Sequence, residues 1–196
     1  MEFIIATRNK KKVEEMMRLL DGLPISLSTL DDFPDCPEVI EDADTFEGNA
    51  VKKAKAVAEY TKKSAFADDS GLEVYALDNA PGVYSARYAG KGADDRKNLE
   101  KLLKEIKGVE ESRRGARFVC VIALAFPDGS VKVFDGFVEG SIGSEPKGSN
   151  GFGYDPVFYP KGYDRTFAEM TADEKDSLSH RGMALRKFRE YIAAMK

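Results

Sequence analysis

Strand and helix patterns alternate through the first half of the chain, and this alternation limits the possible folds more than any other feature of the sequence. Residues 2–6 form a short apolar run, and apolar residues at helical spacing follow over residues 13–20. Residues 25–30 alternate like a strand, and a second helical pattern begins after Thr45, a predicted N-cap. Residues 64–67 then return to a strand pattern. Such alternation is typical of a sheet that is covered by helices.

The second half of the chain is richer in strand patterns. A third helix is predicted over residues 94–107, and two β-rich runs over residues 118–126 and 131–138 are joined by a turn at residues 127–130. A final helix is predicted from about residue 179 to residue 195. Strand–helix alternation that is followed by a hairpin indicates a mixed sheet, and hence a mixed α/β fold.

The length of the chain sets its domain organisation. A chain of 196 residues can bury roughly 70% of its unfolded surface, which is enough for one good core or for two small lobes that share one sheet. The sequence shows no internal repeat, no low-complexity segment and no linker. We therefore predict one domain over residues 1–196.

Charge and composition exclude several classes of protein. The chain has 30 Lys and Arg against 34 Asp and Glu, and its net charge of −4 argues against a partner that is a nucleic acid polymer. No apolar stretch approaches the ~20 residues that cross a bilayer, and Arg8 and Lys10 interrupt the N-terminal run too early for a signal peptide. With only Cys36 and Cys120, neither a disulfide framework nor a cysteine zinc site is expected. A cytoplasmic protein without a membrane partner is the expectation.

Acidic residues concentrate in one segment. Between Asp31 and Glu47 the chain has eight acidic residues and no lysine or arginine. A solvated loop and a helix N-terminus explain most of them, because carboxylates suit the positive end of the helix dipole. The alternative is that one of them binds a hard cation together with Asp68 and Asp69. Mg²⁺ is the expected ion, since it takes oxygen ligands and is held by one or two carboxylates plus substrate phosphates.

Asp68 and Asp69 stand where the strand that begins near Ser64 is predicted to stop, in the sequence Asp-Asp-Ser-Gly. In open α/β sheets this end of a strand is where ligands bind. An Asx turn completed by Gly71 is the structural alternative.

Basic residues cluster between the first strand and the first helix, in the run Thr7, Arg8, Asn9, Lys10, Lys11 and Lys12. Backbone N–H groups and the helix dipole bind phosphate at such a position, although a solvated helix start is the alternative for any single lysine. The chain has neither the G-x-x-x-x-G-K-[ST] sequence of a P-loop nor a G-x-G-x-x-G sequence after a strand.

Two later segments could contact a base. Glycines flank the aromatic residues of segment 149–156, so Phe152 or Tyr154 could supply a stacking face, with a core aromatic in a turn as the alternative. His180, the only histidine, and Arg181 are predicted to open the final helix. Their N–H donors suit a carbonyl oxygen on a base edge, whereas a cap or a packed ring is the alternative for a lone histidine.

Taken together, these motifs resemble those of the inosine/xanthosine triphosphate pyrophosphatase family, and the match covers nearly the whole chain. The matching stretches are T-x-N-x-x-K from Thr7, T-F-x-x-N-A-x-x-K-A from Thr45, A-D-D-S-G-L from Ala67, A-P-G-V-Y-S-A-R-Y from Ala80, G-F-G-Y-D-P from Gly151, F-A-E-M-T from Phe167, Lys175, and S-H-R-G from Ser179. Any one of them is weak, but eight in the right order over this length are specific.

The resemblance implies a two-lobed, mixed α/β fold, in which an elongated mixed sheet with flanking helices surrounds a central active-site cleft. It also implies a homodimer and a small-molecule substrate. The implied reaction is hydrolysis of the α–β phosphoanhydride bond of purine nucleoside triphosphates such as ITP, dITP and XTP, which gives the monophosphate and pyrophosphate and requires Mg²⁺.

The resemblance also implies roles for individual residues. Asp69 would be the general base, with Lys53 beside it, and the metal would be held by Glu41, Asp69 and Asp68. The triphosphate would be held by the residues from Thr7 to Lys12, namely Thr7, Arg8, Asn9, Lys10, Lys11 and Lys12, together with Lys53. The nucleoside would contact Ser70, Phe152, Gly153, Tyr154, Asp155, Lys175, His180 and Arg181. The chain departs from the family pattern at Gly48, where glutamate is usual, and at Ile40, where a second acid often precedes the one at Glu41.

The chemistry is consistent with this resemblance. A nucleoside triphosphate carries about four negative charges, which Lys12, Lys53, Lys175 and Mg²⁺ can neutralise. Inosine and xanthosine present a carbonyl at C6, which donors on His180 and Arg181 would bind, whereas adenosine presents an amino group. Two alternatives remain open. The first is a pyrophosphatase for another modified nucleotide, and the second is a nucleotide sensor without activity, which would not need a base beside a metal.

Overall fold

The structure is a computed structural model that describes residues 1–195. The α-helices are α1 (Lys10–Leu19), α2 (Phe46–Thr61), α3 (Asp95–Glu105), α4 (Ala172–Leu178) and α5 (His180–Ala194). The strands are β1 (Glu2–Ile5), β2 (Ser26–Thr29), β3 (Ser64–Val74), β4 (Gly115–Ala125), β5 (Val131–Ile142) and β6 (Phe158–Pro160). Among the described residues, no helix has both the length and the apolar character that a membrane span requires.

The strands of the described chain form one six-stranded sheet in the order β2-β1-β3-β4-β5-β6. Strand β1 pairs in parallel with β2 and with β3, so that Ile5 lies opposite Thr29 on one side and Phe66 on the other. Strand β5 pairs antiparallel with β6, where Ile142 lies opposite Phe158. The predicted mixed α/β class is confirmed.

The chain divides into two compact units. Unit 1 comprises Met1–Asp69, Cys120–Gly136 and the chain from Arg181 onward, and unit 2 comprises Ser70–Val119 and Phe137–His180. Strands β3, β4 and β5 each supply residues to both units. One domain over residues 1–196 therefore stays the prediction.

Unit 1 has its core on the parallel strands. Phe3 and Phe66 are fully buried there, and both rings contact Phe188 of α5, with centroid distances of 6.4 and 4.8 Å. Helix α1 adds Met16, and it begins after the N-cap Asn9, whose side chain accepts a hydrogen bond from the backbone N–H of Lys12. Met16 and Leu20 of the apolar pattern that predicted α1 therefore face this core, whereas Met17 of the same pattern is exposed.

Unit 2 has a core rich in aromatic rings. Phe118 of β4 lies 4.6 Å from the ring of Phe158 and 6.1 Å from that of Phe167. Leu102 of α3 and Leu72 of β3 are fully buried in the same cluster. Such rings bury large areas, so this cluster contributes strongly to the apolar burial of the unit.

The helices match the sequence expectations more closely than the strands do. The first three helices and the final helix lie within a few residues of the predicted bounds, and Thr45 caps α2 by accepting from the N–H of Gly48. The prediction that the strand stops at Asp68 is wrong, because β3 continues to Val74. Leu72 and Val74 are fully buried, and their burial favours an extended chain over a turn. Helix α4 and strand β6 were not expected.

Candidate active site

Asp68 and Asp69 lie in the middle of β3, and their side chains have different partners. The carboxylate of Asp68 contacts Arg181 of α5 and Lys12 of α1, whereas that of Asp69 contacts residues of α2. Successive side chains of a strand point to opposite faces of the sheet. The strand therefore separates two adjacent carboxylates into two environments.

The first environment is a buried ion-pair network in unit 1. The guanidinium of Arg181 donates to Asp68 Oδ2 through Nη2 at 2.9 Å and through Nε at 3.3 Å, and through Nη1 to Glu15 Oε2 at 2.5 Å. Lys12 Nζ lies 3.1 Å from the same oxygen of Asp68. The side chain of Arg181 is only 2% exposed. Its guanidinium is therefore held by the carboxylates of Asp68 and Glu15. The sequence predicts that Arg181 contacts the base and does not predict these two ion pairs.

The pKa values in this network follow from the charges. Burial alone would raise the pKa of Asp68, but Lys12, Arg181 and Lys53 outweigh it and hold that pKa far below its ordinary value. Burial would lower the pKa of Arg181, and Asp68 and Glu15 raise it instead. Both shifts favour the charged form of each group.

The second environment is built around Lys53 of α2. Its Nζ donates to Glu41 Oε1 at 3.0 Å and lies 3.7 Å from Asp69 Oδ1. Asn49, one turn earlier on the same helix, donates through Nδ2 to Asp69 Oδ2 at 3.1 Å. The structure thus brings together the predicted base, the predicted catalytic lysine and one predicted metal ligand.

The pKa of Asp69 is shifted in the opposite direction from that of Asp68. Burial raises it to about 6, Lys53 and Lys12 oppose the shift, and Glu41 adds to it. Burial would lower the pKa of Lys53, but Asp68, Asp69 and Glu41 together raise it. A carboxylate with a pKa near 6 is mostly ionised at neutral pH and is still a useful proton acceptor.

The predicted set of three metal ligands does not come together. Within residues 1–195 no group of three or more His, Cys, Asp or Glu side chains is placed to hold a metal ion. Asp68 is turned to the ion-pair network, whereas Glu41 and Asp69 share Lys53. Two carboxylates fit Mg²⁺, which is often held by one or two together with substrate phosphates.

The predicted phosphate-binding run Thr7–Lys12 connects β1 to α1. Thr7 Oγ1 accepts from the N–H of Asn9, and Asn9 Oδ1 accepts from the N–H of Lys12. Arg8 donates to the carbonyl of Cys36 at 2.8 Å. Arg8, Asn9, Lys10 and Lys11 are exposed. The run therefore offers exposed cations and a helix N-terminus to solvent, as the sequence predicted, while Lys12 is turned to Asp68.

In unit 2, the predicted base-binding loop is tied by one carboxylate. Asp155 Oδ2 accepts from the backbone N–H of Phe152 at 2.9 Å and from Lys175 Nζ at 2.7 Å. Lys175 Nζ also lies 4.9 Å from the centroid of the Phe152 ring. The N–H of Gly153 donates to Asp95 of α3. Phe152, Gly153, Asp155 and Lys175 thus form one group, whose ring is positioned by an ion pair.

Tyr154 is a core aromatic residue, which was the structural alternative to a stacking face for a base. Its side chain is 5% exposed and packs in the core of unit 2. Its hydroxyl donates to the carbonyl of Ser85 at 2.8 Å, and burial raises the pKa of this hydroxyl. The predicted contact of Ser70 with the nucleotide stays a prediction, and Ser70 is half-buried in β3 directly after Asp69.

His180 opens α5, as predicted, and its ring is buried. It stacks on Phe118 with a centroid distance of 4.7 Å and an interplanar angle of 8°. Stacking fixes the plane of the imidazole, so the direction in which its N–H groups can donate is also fixed.

Three residues with clear structural roles were not predicted, namely Glu15, Asn49 and Phe118. Glu15 lies three residues after Lys12 on α1, so helical spacing could have shown that both face the same side. Asn49 belongs to the T-F-x-x-N-A stretch, but no role was assigned to it. Nothing in the sequence indicates the contact of Phe118 with His180.

The fold and these contacts define a class. This is a mixed α/β protein that holds carboxylates and lysines around a strand in the sheet, an arrangement that suits a polyanionic ligand bound with a divalent cation. A model of the Ham1 family matches residues 3–191. The chain belongs to the Ham1 family.

Individual relatives are similar over nearly their whole length. A dITP/XTP pyrophosphatase from Desulforamulus reducens is 50% identical over 192 residues, which are 98% of this chain and 96% of the relative. A dITP/XTP pyrophosphatase from Bacillus subtilis is 47% identical, over 98% of each chain. The solved structure of a HAM1 protein from Coxiella burnetii has a TM-score of 0.90 and 42% identity, over 98% of each chain.

The ion-pair network predicts a large effect of Arg181→Ala on stability. The change leaves Asp68 and Glu15 buried without their guanidinium partner, and breaking a buried pair in this way costs about 3–5 kcal/mol. The control is Arg165→Ala, which removes an exposed pair with Glu174 and should cost at most about 1 kcal/mol. Urea unfolding measures both, and equal losses would contradict a structural role for Arg181.

The raised pKa of Asp69 predicts how stability depends on pH in protein treated with EDTA. Folding strengthens proton binding by Asp69, so its contribution is fully present below the unfolded pKa near 4 and is lost as the pH rises through about 6. Asp69→Asn mimics the protonated form. The difference in the free energy of unfolding, variant minus wild type, should therefore increase by on the order of 1 kcal/mol between pH 5 and pH 8. A difference that does not change with pH would refute the raised pKa.

Proposed function

We propose that the chain hydrolyses the α–β phosphoanhydride bond of non-standard purine nucleoside triphosphates, dITP, ITP and XTP, to the monophosphate and pyrophosphate. It is a nucleoside triphosphate pyrophosphatase that removes these nucleotides from the pool. The observation that carries this proposal is the group of Asp69, Lys53 and Glu41. The names of relatives that are half identical over nearly the whole chain support the same reaction.

Asp69 is the base of this mechanism. Its buried carboxylate is ionised at neutral pH, because its pKa is about 6, and it can accept a proton from a water molecule. The oxygen of that water attacks the α-phosphorus, the bond from the α-phosphorus to the bridging oxygen breaks, and pyrophosphate leaves. Asn49 holds one carboxylate oxygen through its amide, which leaves the other directed at the Lys53 side.

Mg²⁺ is the cofactor that this site fits best, and Glu41 and Asp69 would hold it. When bound, the ion would lower the pKa of water and neutralise phosphate charge. Lys53 is fixed between the same two carboxylates, so its ammonium lies where negative charge develops on the phosphates. Lys12 and the run from Thr7 to Lys11, which is exposed from Arg8 onward, would bind the outer phosphates.

We assign the contacts with the purine to the residues for which the family resemblance implies them. Phe152 supplies the stacking face, which is held in place by Lys175 and Asp155. His180 supplies an N–H donor for the C6 carbonyl, and its plane is set by Phe118. Arg181 donates to two carboxylates, so we assign the base-edge contact to His180 and to Arg181 a role in holding the adjacent strand residue Asp68.

A cytoplasmic homodimer is the assembly that we propose, as the resemblance implies. The two cysteines of the described chain, Cys36 and Cys120, are both buried and free, which supports a reducing compartment. Size-exclusion chromatography coupled to light scattering tests the dimer.

The reaction is tested by pyrophosphate release from ITP, XTP, GTP and ATP, with Mg²⁺ and with EDTA. We expect metal-dependent release that is confined to ITP and XTP and is lost in Asp69→Asn, because an amide cannot accept the proton of water. Binding of ITP without turnover would favour the sensor instead. Turnover of another nucleotide would keep the phosphate chemistry and would exclude the assigned base contacts.

Base selection is tested by His180→Ala. Removing a fixed donor should reduce the preference for ITP over ATP, measured as the ratio of kcat/KM values, by about tenfold. The ratio is informative even where the variant loses activity, since a general loss affects both nucleotides alike. An unchanged ratio would remove His180 from base recognition.

A further inference from the structure

The side-chain amide of Asn49 is fully buried, and three hydrogen bonds hold it in one orientation. Its Nδ2 donates to Asp69 Oδ2 at 3.1 Å and to the carbonyl of Ala43 at 3.3 Å, and its Oδ1 accepts from the N–H of Ala43 at 3.0 Å. Only a group with a donor on one side and an acceptor on the other can make this set of contacts. A buried amide is costly unless it is bonded in this way.

The segment that Asn49 holds carries Glu41. Ala43 lies two residues after Glu41, in a stretch without regular secondary structure, so its two bonds to Asn49 restrain the backbone next to Glu41. Gly48 allows the segment to approach α2 closely. A Cβ at Gly48 would lie 2.8 Å from the Cβ of Ala43, which is too close for that atom to stay in place, and 3.0 Å from Thr45 Oγ1, which is a tight contact.

One amide therefore connects both proposed metal ligands. Asn49 touches Asp69 directly and Glu41 through the backbone of Ala43. Lys53 lies four residues later on the same face of α2 and contacts the same two carboxylates. The spacing of Glu41 and Asp69 is thus set from α2.

We propose that Asn49 is a positioning residue, which holds Glu41 and Asp69 at the spacing that binds the divalent cation. This inference rests on the proposed function of the site, since it concerns the same two carboxylates. It assigns to Asn49 no contact with the substrate. The consequence is that losing the amide weakens binding of the cation more than it weakens binding of the nucleotide.

The test is Asn49→Leu, which keeps the shape of the side chain and removes its hydrogen bonds without adding a charge. The matched control is Asn98→Leu. Asn98 is also a buried amide on a helix, and it accepts from the N–H of Ala89 and donates to the carbonyl of Ala86. Both variants lose side-chain hydrogen bonds to backbone N–H and carbonyl groups, but only the wild-type Asn49 also contacts a carboxylate of the proposed site.

Two measurements separate positioning from general stability. The first is calorimetric titration of each protein with Mn²⁺ alone, and the second is the Mg²⁺ concentration that gives half-maximal release of pyrophosphate from ITP. We expect Asn49→Leu to raise the Mn²⁺ dissociation constant and the Mg²⁺ half-saturation at least tenfold. The KM for ITP at saturating Mg²⁺ should change less than threefold. Asn98→Leu should lower the urea midpoint and leave both metal constants within twofold.

Gly48→Ala is the second variant, in case Asn49→Leu does not fold. Its methyl group displaces the segment at Ala43 while the amide of Asn49 stays, so both metal constants should rise at least threefold. Metal constants that are unchanged in the Asn49 variant, or changed equally in the Asn98 variant, would overturn the inference. Failure of the proposed function would give another result. The wild type would then release no pyrophosphate from ITP, while Asn49→Leu and Asn98→Leu would still differ in their Mn²⁺ dissociation constants.

Discussion

An extended strand directs neighbouring side chains to opposite faces of a sheet, and the arrangement of this site depends on that constraint at Asp68 and Asp69. Because β3 runs unbroken from Ser64 to Val74, the two carboxylates cannot share one environment. Asp68 meets α1 and α5, and Asp69 meets α2. Had the chain turned at these residues, as an Asx turn would require, the backbone would not have enforced the separation. The difference between the acid of the ion-pair network and the acid that we propose as the base therefore begins in the backbone.

The same separation explains why two buried carboxylates have pKa values on opposite sides of the ordinary one. Burial raises the pKa of each, so the difference comes from the cations nearby. Asp68 Oδ2 accepts two hydrogen bonds from the guanidinium of Arg181 and lies next to Lys12, and these two cations more than compensate for the loss of water. Asp69 has Lys53 at a longer distance, and that lysine is shared with Glu41. A group whose charge is incompletely compensated is the one that can still exchange a proton near neutral pH, and Asp69 is that group.

The sequence predicted the features that depend on local spacing. Helical periodicity located α1, α2, α3 and α5, the cap at Thr45 followed from its side chain, and the motifs identified the residues now grouped around Asp69. Features that depend on distant partners were not predictable. Arg181 meets Asp68 and Glu15 across 113 and 166 positions of the chain, so its two donors were assigned to a base instead. The continuation of β3 past Asp68 depends on burial of Leu72 and Val74 in a core that the local sequence does not show.

The charges of the proposed site in unit 1 explain what a divalent cation would contribute there. Lys12, Lys53 and Arg181 supply three positive charges, and Glu15, Glu41, Asp68 and Asp69 supply four negative ones when ionised. The group is therefore slightly acidic by itself and does not favour a triphosphate with about four negative charges. The positive charges of Lys53 and Arg181 are already included in this sum, and both side chains are paired with carboxylates. A bound Mg²⁺ would make the same group net positive, as binding of a polyanion requires.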